Sequence, residues 1–271
     1  MSLSPSSRLQ VQIAAFGQQG IDRVAAHRHP RTQGVSWLVC LQCPDGNVTV
    51  PDSLTSREDF HIVTFSDTGL SRNRNHALDL DLPAELILIG DDDVDYDGAA
   101  LQSLIGIFEA DPTLDIVCCR FLNNGNLPKI YGQGVFPLNK PPKGWFPSSI
   151  EMAFRRKSLG EIRFNENFGI GSGRFVAGEE TVLLTDLLRR GRRGIGAPVV
   201  IGSHNDPTTS SRLRESPDFL RAHGAVMAHV HRITWLPRLI AHALKSPVPF
   251  SLYMRHTLSG AIYALTHRLH R

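Results

Sequence analysis

The sequence predicts an α/β fold in which a mostly parallel, Rossmann-like sheet carries helices on both faces and precedes a helical C-terminal extension. Short apolar runs alternate with amphipathic helical patterns, as strands and helices do in such sheets. Acidic and polar residues follow the apolar runs directly, which is where these sheets bind ligands. We expect residues 1–212 to form the α/β domain, in halves 9–110 and 111–212, and residues 213–271 to form the extension.

Four apolar runs in the first half have the length and composition of buried strands. They cover residues 11–16, 37–41, 61–65 and 86–89. Between the third and fourth runs, residues 72–80 have a helical pattern, and Ser71 is the expected N-cap.

The second half continues the alternation less regularly. Helices are expected at 97–110 and 181–190, and strands at 115–121, 150–154 and 199–201. Residues 123–145 are rich in Asn, Gly and Pro, which predicts an irregular loop. The extension has a helical pattern from residue 219, and we expect Pro237, Pro247 and Pro249 to break it into pieces.

Composition places the chain among ordinary globular proteins. Its 271 residues are 41% hydrophobic and 20% charged, enough material for a substantial core. The first seven residues are small and polar and lack the features of a secretory signal. Four cysteines show no disulfide spacing, and the Cys40–Cys43 pair has no second CxxC with which to bind zinc. We therefore expect a cytoplasmic protein.

Charge is distributed unevenly along the chain. Residues 219–271 contain no Asp or Glu and seven Lys or Arg. Removing these seven charges from the net charge of +3 leaves residues 1–218 at −4. A basic extension on a mildly acidic body favours an anionic partner, either a membrane surface or nucleic acid.

Asp91, Asp92 and Asp93 follow a buried strand directly. Three adjacent carboxylates repel one another unless they stay solvated or share a cation. Carboxylates suit Mg²⁺ or Mn²⁺, and such an ion would stabilise a departing nucleotide diphosphate. The alternative is an acidic turn that caps the next helix.

Two other segments carry charge at helix starts. Arg72 and Arg74 could meet phosphate there, or form a solvated basic face. Glu179 and Glu180 precede a later helix, where a carboxylate could deprotonate an acceptor hydroxyl or simply cap the helix.

Three segments, in this order, resemble the family 2 glycosyltransferases of GT-A fold: Gly69-Leu-Ser-Arg-Asn-Arg-Asn-His-Ala-Leu78, Ile87-Leu-Ile-Gly-Asp-Asp-Asp93 and Gly178-Glu-Glu-Thr-Val-Leu-Leu184. The resemblance covers roughly residues 9 to 212. It implies a nucleotide-sugar-binding half, 9–110, and an acceptor-binding half, 111–212. It also implies metal-dependent transfer from a nucleotide-sugar donor, here expected to be a UDP-sugar, to an acceptor hydroxyl, usually with inversion.

Carried over by position, the resemblance assigns roles to single residues. Asp91 and Asp93 match the outer aspartates of the DXD motif and would bind the divalent metal, with Asp93 the more direct ligand. Glu180 takes the place of the catalytic base, and Glu179 remains an alternative. His204 corresponds to a histidine that completes the metal site in some relatives, or is structural. Arg74 and Asn75 match the family's Arg-Asn pair and would belong to the donor site. Arg72 and Asp92 are further candidates for that site from their positions beside these motifs.

The sequence departs from the family at the end of the second strand. Members commonly have aspartates there for reading the nucleobase, whereas this chain has Cys40-Leu-Gln-Cys-Pro-Asp-Gly46. Gln42 could pair with a uracil edge and Phe16 could stack on the base, or both could be packed strand-end residues. Trp145, in the irregular loop, offers a platform for a sugar face or belongs to the core.

The implied acceptor is a glycan or a lipid-linked molecule, as in polysaccharide biosynthesis. An apolar stripe in the extension fits either peripheral contact with anionic lipid at the inner face of a membrane or packing on the catalytic domain; nucleic acid is not expected. Seven histidines there would strengthen lipid attraction below about pH 6.5.

Two rival functions are a sugar nucleotidyltransferase and a non-catalytic carbohydrate-binding protein on the same fold. The first needs a glycine-rich basic loop near the start, and Gly17-Gln-Gln-Gly20 is a poor candidate for one.

Overall fold

The computed structural model describes residues 7–80, 83–205 and 215–267. These residues form two compact units. The sheet unit comprises residues 7–68, 73–80, 83–163 and 186–205, and the helical unit comprises 69–72, 164–185 and 215–267. The polar first residues, up to position 6, and the boundary predicted after residue 212 lie outside the described residues.

A nine-stranded sheet forms the centre of the sheet unit. Its strands are β1 Leu9–Phe16, β2 Val35–Gln42, β3 Phe60–Phe65, β4 Leu86–Asp91, β5 Asp95–Tyr96, β6 Ile116–Asn123, β7 Phe136–Pro137, β8 Met152–Arg155 and β9 Gly194–His204. All of the predicted strands are present, and β9 is longer than expected because it extends in both directions from residues 199–201.

The strand order is β3-β2-β1-β4-β8-β6-β9-β5, with β7 paired to β9. Strands β1 to β4 pair in parallel, and so do β6 and β9. Because β8 is antiparallel to both β4 and β6, the six longest strands all run in one direction. The predicted mostly parallel α/β sheet is confirmed.

Several helices connect these strands. They are α1 Gly17–Ala26, α2 Asp52–Thr55, α3 Leu70–Asp79, α4 Gly98–Ala110, α5 Arg156–Leu159 and α6 Glu179–Arg189, with a 3-10 turn at Ser149–Glu151. Helix α4 begins as predicted, because the Asp97 side chain accepts a hydrogen bond from the Ala100 backbone N–H. Helix α1 is not among the predicted helices; it begins where Gly17 takes a positive φ of 59° after β1.

The two faces of the sheet pack against different helices. Alternate residues of β1 and β2, such as Val11 and Trp37, pack with Ile21 of α1 and Leu101 of α4 in the main core. On the opposite face Leu38 and Cys40 of β2 pack with Ala77 of α3. The prediction of helices on both faces is therefore confirmed, and it follows from the alternation of side chains along a strand.

The N-terminus of α3 differs from the prediction. The helix begins at Leu70, whose backbone N–H donates to the Ile170 carbonyl. The Ser71 hydroxyl donates to the Phe168 carbonyl at 2.6 Å and so does not cap the helix. The prediction that Ser71 is the N-cap is wrong, because a contact with residues distant in sequence takes its hydroxyl.

The helical unit contains three further helices, α7 Pro217–His231, α8 Trp235–Ala243 and α9 Phe250–Thr266. Helices α7 and α9 approach backbone to backbone: a Cβ added at Gly224 would lie 1.9 Å from the Thr257 carbonyl oxygen. One of the predicted helix breaks, the one at Pro237, is wrong. Pro237 lies in the first turn of α8, which tolerates proline, and the chain breaks before Trp235 instead.

Two of the seven histidines do not contribute to the expected gain of charge just below about pH 6.5. His223 and His242 stack with ring centroids 5.4 Å apart. Burial lowers the pKa of His223 to about 4 and also lowers the pKa of His242. Both rings therefore stay neutral to a lower pH than free histidine.

None of the described helices combines the length and the apolar character that crossing a membrane requires.

Candidate functional site

The carboxyl ends of the parallel strands bring several predicted site residues to one edge of the sheet. In the strand register Phe16 pairs with Gln42, and Ala14 pairs with Asp91. Phe16 is 54% exposed there, whereas Gln42 is buried. This is the edge at which α/β sheets bind ligands.

Each aspartate of the triplet has a different environment. The Arg74 guanidinium donates to Asp91 Oδ1 at 2.9 Å, and the Ser149 hydroxyl donates to Asp91 Oδ2 at 3.0 Å. Arg23 makes two bonds to Asp92, at 3.1 and 2.7 Å. Two arginines therefore offset part of the repulsion that the sequence alone left unbalanced.

Burial disfavours the charged form of two carboxylates of the triplet, those of Asp92 and Asp93. It raises the pKa of Asp92 to about 6, although the Arg23 guanidinium acts in the opposite direction. Burial, followed by repulsion from Asp91, also raises the pKa of Asp93. A cation near Asp93 would relieve this cost, which is the electrostatic behaviour expected of a metal site.

His204 lies near the Asp93 end of the triplet. Strand β5 pairs with β9 so that Asp95 is opposite Ser203, and His204 is the last residue of β9. Its ring is buried and stacks on Phe121, with centroids 5.2 Å apart. A positive charge at His204 would lower the pKa of Asp93, so the two side chains lie within electrostatic range of each other.

One nitrogen of His204 is available to a ligand. Nε2 lies 3.3 Å from Asn123 Nδ2, while Nδ1 is buried and has no hydrogen-bond partner among the described residues. Binding of a metal by Nδ1 requires the ring proton on Nε2. The Asn123 amide would then turn over and accept a hydrogen bond from Nε2 through its oxygen, giving up the bond that this oxygen accepts from Asn124 Nδ2 at 2.7 Å. An orphaned buried nitrogen beside a raised-pKa carboxylate fits a divalent ion.

The described residues hold no group of three or more His, Cys, Asp or Glu side chains arranged to bind a metal. Asp91, the third predicted ligand, has both oxygens engaged by Arg74 and Ser149. This does not conflict with Mg²⁺ or Mn²⁺, because such ions are commonly held by one or two carboxylates together with phosphate oxygens of the substrate. Asp93 and His204 are the protein donors that fit.

A second polar cluster lies at the ends of β2 and β3. Gln42 Nε2 donates to Asp67 Oδ1 at 2.9 Å, and His76 Nε2 lies 2.7 Å from Asp67 Oδ2. The His76 ring stacks on Phe65 with centroids 4.0 Å apart. Asp67, His76 and Phe65 are not among the site residues predicted from the sequence, although Asp67 follows a strand just as the triplet does.

The loop after β6 is anchored by a buried ion pair. Lys129 Nζ lies 2.6 Å from Glu151 Oε2 and donates to Ser148 Oγ at 2.9 Å, and the Tyr131 hydroxyl donates to Glu151. The Lys129 and Glu151 side chains are 2% and 0% exposed. Four aromatic rings surround the ammonium within 6.0 Å: Phe121, Tyr131, Trp145 and Phe146.

The 3-10 turn at Ser149–Glu151 contacts the acidic triplet. Glu151, which binds Lys129, and Ser149, which binds Asp91, both belong to it. The Ser148 hydroxyl and the Glu151 side chain complete a capping box that stiffens the turn. A chain of polar contacts therefore runs from the loop that carries Trp145 to the carboxylate of Asp91.

Solved structures of similar fold match nearly the whole chain. The first 349 residues of S. aureus TarS, in complex with UDP, match at a TM-score of 0.60 and 13% identity, covering 97% of this chain and 82% of that one. The same TarS fragment with UDP-GlcNAc gives 0.61, with 13% identity and the same coverage. The mannosyltransferase PcManGT from Pyrobaculum calidifontis, in complex with GDP-Man and Mn²⁺, gives 0.52 at 15% identity, covering 98% and 90%.

These neighbours are glycosyltransferases of the GT-A type. This chain has a GT-A glycosyltransferase fold. No protein-family model matches it, and no curated protein matches it by sequence. The GT-A fold implied by the three motifs is thereby confirmed at the level of architecture.

The sheet unit contains all of the predicted donor residues except Arg72, but their surroundings differ. Arg74 and Asn75 are buried, and the Arg74 guanidinium contacts Asp91. Arg72 is exposed and belongs to the helical unit, where its Nε donates to Glu166 at 3.1 Å. Trp145 packs edge-on against Phe136 and is half-buried.

Glu179 and Glu180 begin α6 in the helical unit. Glu179 is buried, and a Cβ added at Gly169 would lie 3.5 Å from its Oε2. Glu180 is half-buried. Of the two carboxylates, Glu180 is the more accessible to a substrate.

Proposed function

We propose that this protein is a metal-dependent glycosyltransferase that moves a sugar from a nucleotide-sugar donor, a UDP-sugar first among the candidates, to an acceptor hydroxyl. The observation that carries the proposal is the pair of Asp93 and His204 at the carboxyl edge of a GT-A sheet, next to Asp91. Support comes from the GT-A neighbours solved with UDP, UDP-GlcNAc and GDP-Man.

The nucleobase would bind at the ends of β1 to β3. Phe16 offers an exposed ring for stacking. The Asp67 carboxylate, held by Gln42 and facing His76, can accept an N–H from a base edge. This cluster replaces the aspartates that the resemblance leads one to expect at the end of the second strand.

The diphosphate would bind at the triplet. Asp93 and His204 would hold Mn²⁺ or Mg²⁺, which would stabilise the charge of the departing nucleotide diphosphate. Arg74 fixes Asp91 through an ion pair in which the guanidinium is buried, so we assign Arg74 a positioning role rather than a phosphate contact. Arg23 likewise fixes Asp92.

Glu180 is the proposed base. Its carboxylate would take the proton of the acceptor hydroxyl while that oxygen bonds to the anomeric carbon. The bond from that carbon to the diphosphate breaks on the opposite face, so the configuration inverts. The motif position and the accessibility of Glu180 support this assignment, and Glu179 remains the alternative.

The acceptor would be a glycan or a lipid-linked molecule, bound at the loop that carries Trp145. Ile130 and Phe146 of this loop are 63% and 52% exposed, which gives it apolar surface for a sugar face or an acyl chain. The four free cysteines are consistent with the proposed cytoplasmic location. The proposed role in polysaccharide biosynthesis follows from the proposed acceptor.

A ligand screen tests the proposal. UDP, UDP-GlcNAc and GDP-Man are each added with and without Mn²⁺, and the thermal midpoint is followed, because a ligand that binds the folded state raises it. We expect a Mn²⁺-dependent rise with at least one of them, followed by release of the nucleoside diphosphate once an acceptor extract is added. Binding without release under any acceptor condition would instead indicate a non-catalytic binding protein, and formation of nucleotide sugar from sugar phosphate would indicate a nucleotidyltransferase.

A further inference from the structure

The exposed apolar side chains of the helical unit are concentrated in its last part. Among the described residues of this unit nine large apolar side chains are exposed, and eight of them lie between Ile233 and Leu265. These eight are Ile233, Leu236, Ile240, Leu244, Phe250, Leu252, Ile262 and Leu265. Scattered exposed apolar residues need no explanation, but a concentration of this kind marks an interaction surface.

Helix α8 has two apolar sides. Leu239 packs with Met227 of α7 and Ala261 of α9, and Ala243 packs with Leu220. The other side presents Leu236, Ile240 and Leu244, spaced by four residues and 40%, 39% and 74% exposed. Together with Ile233, which is 92% exposed, these three residues form what we call the apolar stripe.

The charge beside the apolar stripe has a single sign. No Asp or Glu occurs after Asp218 in the sequence. Arg232, Arg238 and Lys245 are exposed next to the stripe, and Arg255 is exposed on α9. Along this part of the chain the stripe is therefore flanked by cations and by no acidic residue.

We propose that the apolar stripe docks on the surface of an anionic lipid bilayer. Leu236, Ile240 and Leu244 would enter the boundary between headgroups and acyl chains, and Arg238 and Lys245 would meet anionic headgroups. A second copy of this chain is a poorer fit, because pairing the stripe with itself would bring cations against cations. The inference concerns only where the protein lies and does not depend on the proposed catalytic activity.

Vesicle sedimentation tests the apolar part. The full-length protein should sediment with vesicles of phosphatidylcholine and phosphatidylglycerol but remain in the supernatant with phosphatidylcholine alone. The double variant I240S/L244S should lose about tenfold or more of this partitioning, since two apolar side chains no longer enter the bilayer. The control I170S removes an apolar side chain of 51% exposure outside the region and should sediment like the wild type.

A charge variant tests the electrostatic part. R238E/K245E should weaken partitioning by about fivefold or more per reversed charge and reduce its salt sensitivity. The proposal would be overturned if the wild-type protein did not sediment with phosphatidylglycerol-containing vesicles at low salt. The proposal would also be overturned if I240S/L244S bound the vesicles as the wild type does. The same holds if this variant lost a dimer on size exclusion while its vesicle binding stayed unchanged. Thermal shift with UDP and Mn²⁺ in the same variants reports the donor site separately, so failure of one proposal does not disguise failure of the other.

Discussion

Single residues of the candidate site owe their properties to partners that are distant in sequence. Asp91 is held by Arg74 and Ser149, and Asp92 by Arg23. The aspartates themselves were predictable because they end a buried strand. Their partners were not, because nothing in the local pattern shows which arginine will face which carboxylate.

His29 illustrates how burial of one residue sets a pH dependence. The ring packs among Trp37, Phe60 and Tyr96, and burial lowers the pKa of His29 to about 4 from 6.5. Between these values the unfolded chain binds more protons than the folded one, so stability falls as pH falls from about 6.5 towards 4. The loss from this residue is up to about 3 kcal/mol.

The variant H29F should flatten that dependence. Phenylalanine fits an aromatic cluster and cannot take a proton, so urea unfolding at pH 7 and pH 5 should differ less than in the wild type. An unchanged difference between the two pH values would show that His29 is not the group responsible.

Glu180 provides a second test at this scale. E180Q keeps the size of the side chain but removes the base, so transfer should fall by about a hundredfold or more while the affinity for UDP with Mn²⁺ stays near the wild type. E179Q, which alters a buried carboxylate, is the matched comparison. If E179Q abolishes transfer and E180Q does not, Glu179 is the base.

Among structural elements, strands were easier to predict than the segments that link them. Each predicted apolar run forms a strand, since a continuous apolar segment is stable when both of its faces are buried away from water. Helix α1 was missed because its sequence after Gly17 is polar and only Gly20, Ile21 and Val24 are buried. The Ser71 cap was wrong because a long-range contact with Phe168 outweighed local capping.

The loop after β6 depends on the buried pair of Lys129 and Glu151. The variant K129M leaves the Glu151 charge buried without its cation, and we expect it to lower the free energy of unfolding by about 3–5 kcal/mol. The double variant K129M/E151M should recover most of that loss, because no charge remains in the site. Urea unfolding measures both.

The exposed pair of Arg8 and Glu109 gives the control for this prediction. Their side chains are 51% and 44% exposed, so R8M should cost less than about 1 kcal/mol. If K129M costs no more than R8M, the Lys129 pair does not anchor the loop.

The contact between α7 and α9 requires glycine at Gly224. G224A would place a methyl group against the Thr257 carbonyl and force the helices apart, at a cost of about 1–3 kcal/mol or more. Gly106, inside α4, has nothing within 4 Å of an added Cβ, so G106A should instead stabilise by about 0.5–1 kcal/mol. Thermal unfolding compares them, and equal effects of the two changes would contradict this packing.

For the whole molecule, the order of motifs predicted the fold better than the site. Strand-ending acids and a helix-starting Arg-Asn pair were enough to indicate a GT-A sheet, which the structural neighbours bear out. The metal and base assignments remain proposals. Asp91 and Asp93 share the sheet unit with His204, whereas Glu180 belongs to the helical unit. Sequence order alone does not reveal that division, because residues 69–72 and 164–185 join the C-terminal helices in space.

Calorimetric titration of UDP in the presence and absence of Mn²⁺ tests the central claim most directly. We expect Mn²⁺ to strengthen UDP binding to the wild type, and D93N to lose that binding by about tenfold or more because it removes a metal ligand without changing shape. D218N, which alters an exposed aspartate of α7, should bind as the wild type does. UDP binding that is indifferent to Mn²⁺, or that survives unchanged in D93N, would contradict a metal-dependent donor site at the triplet.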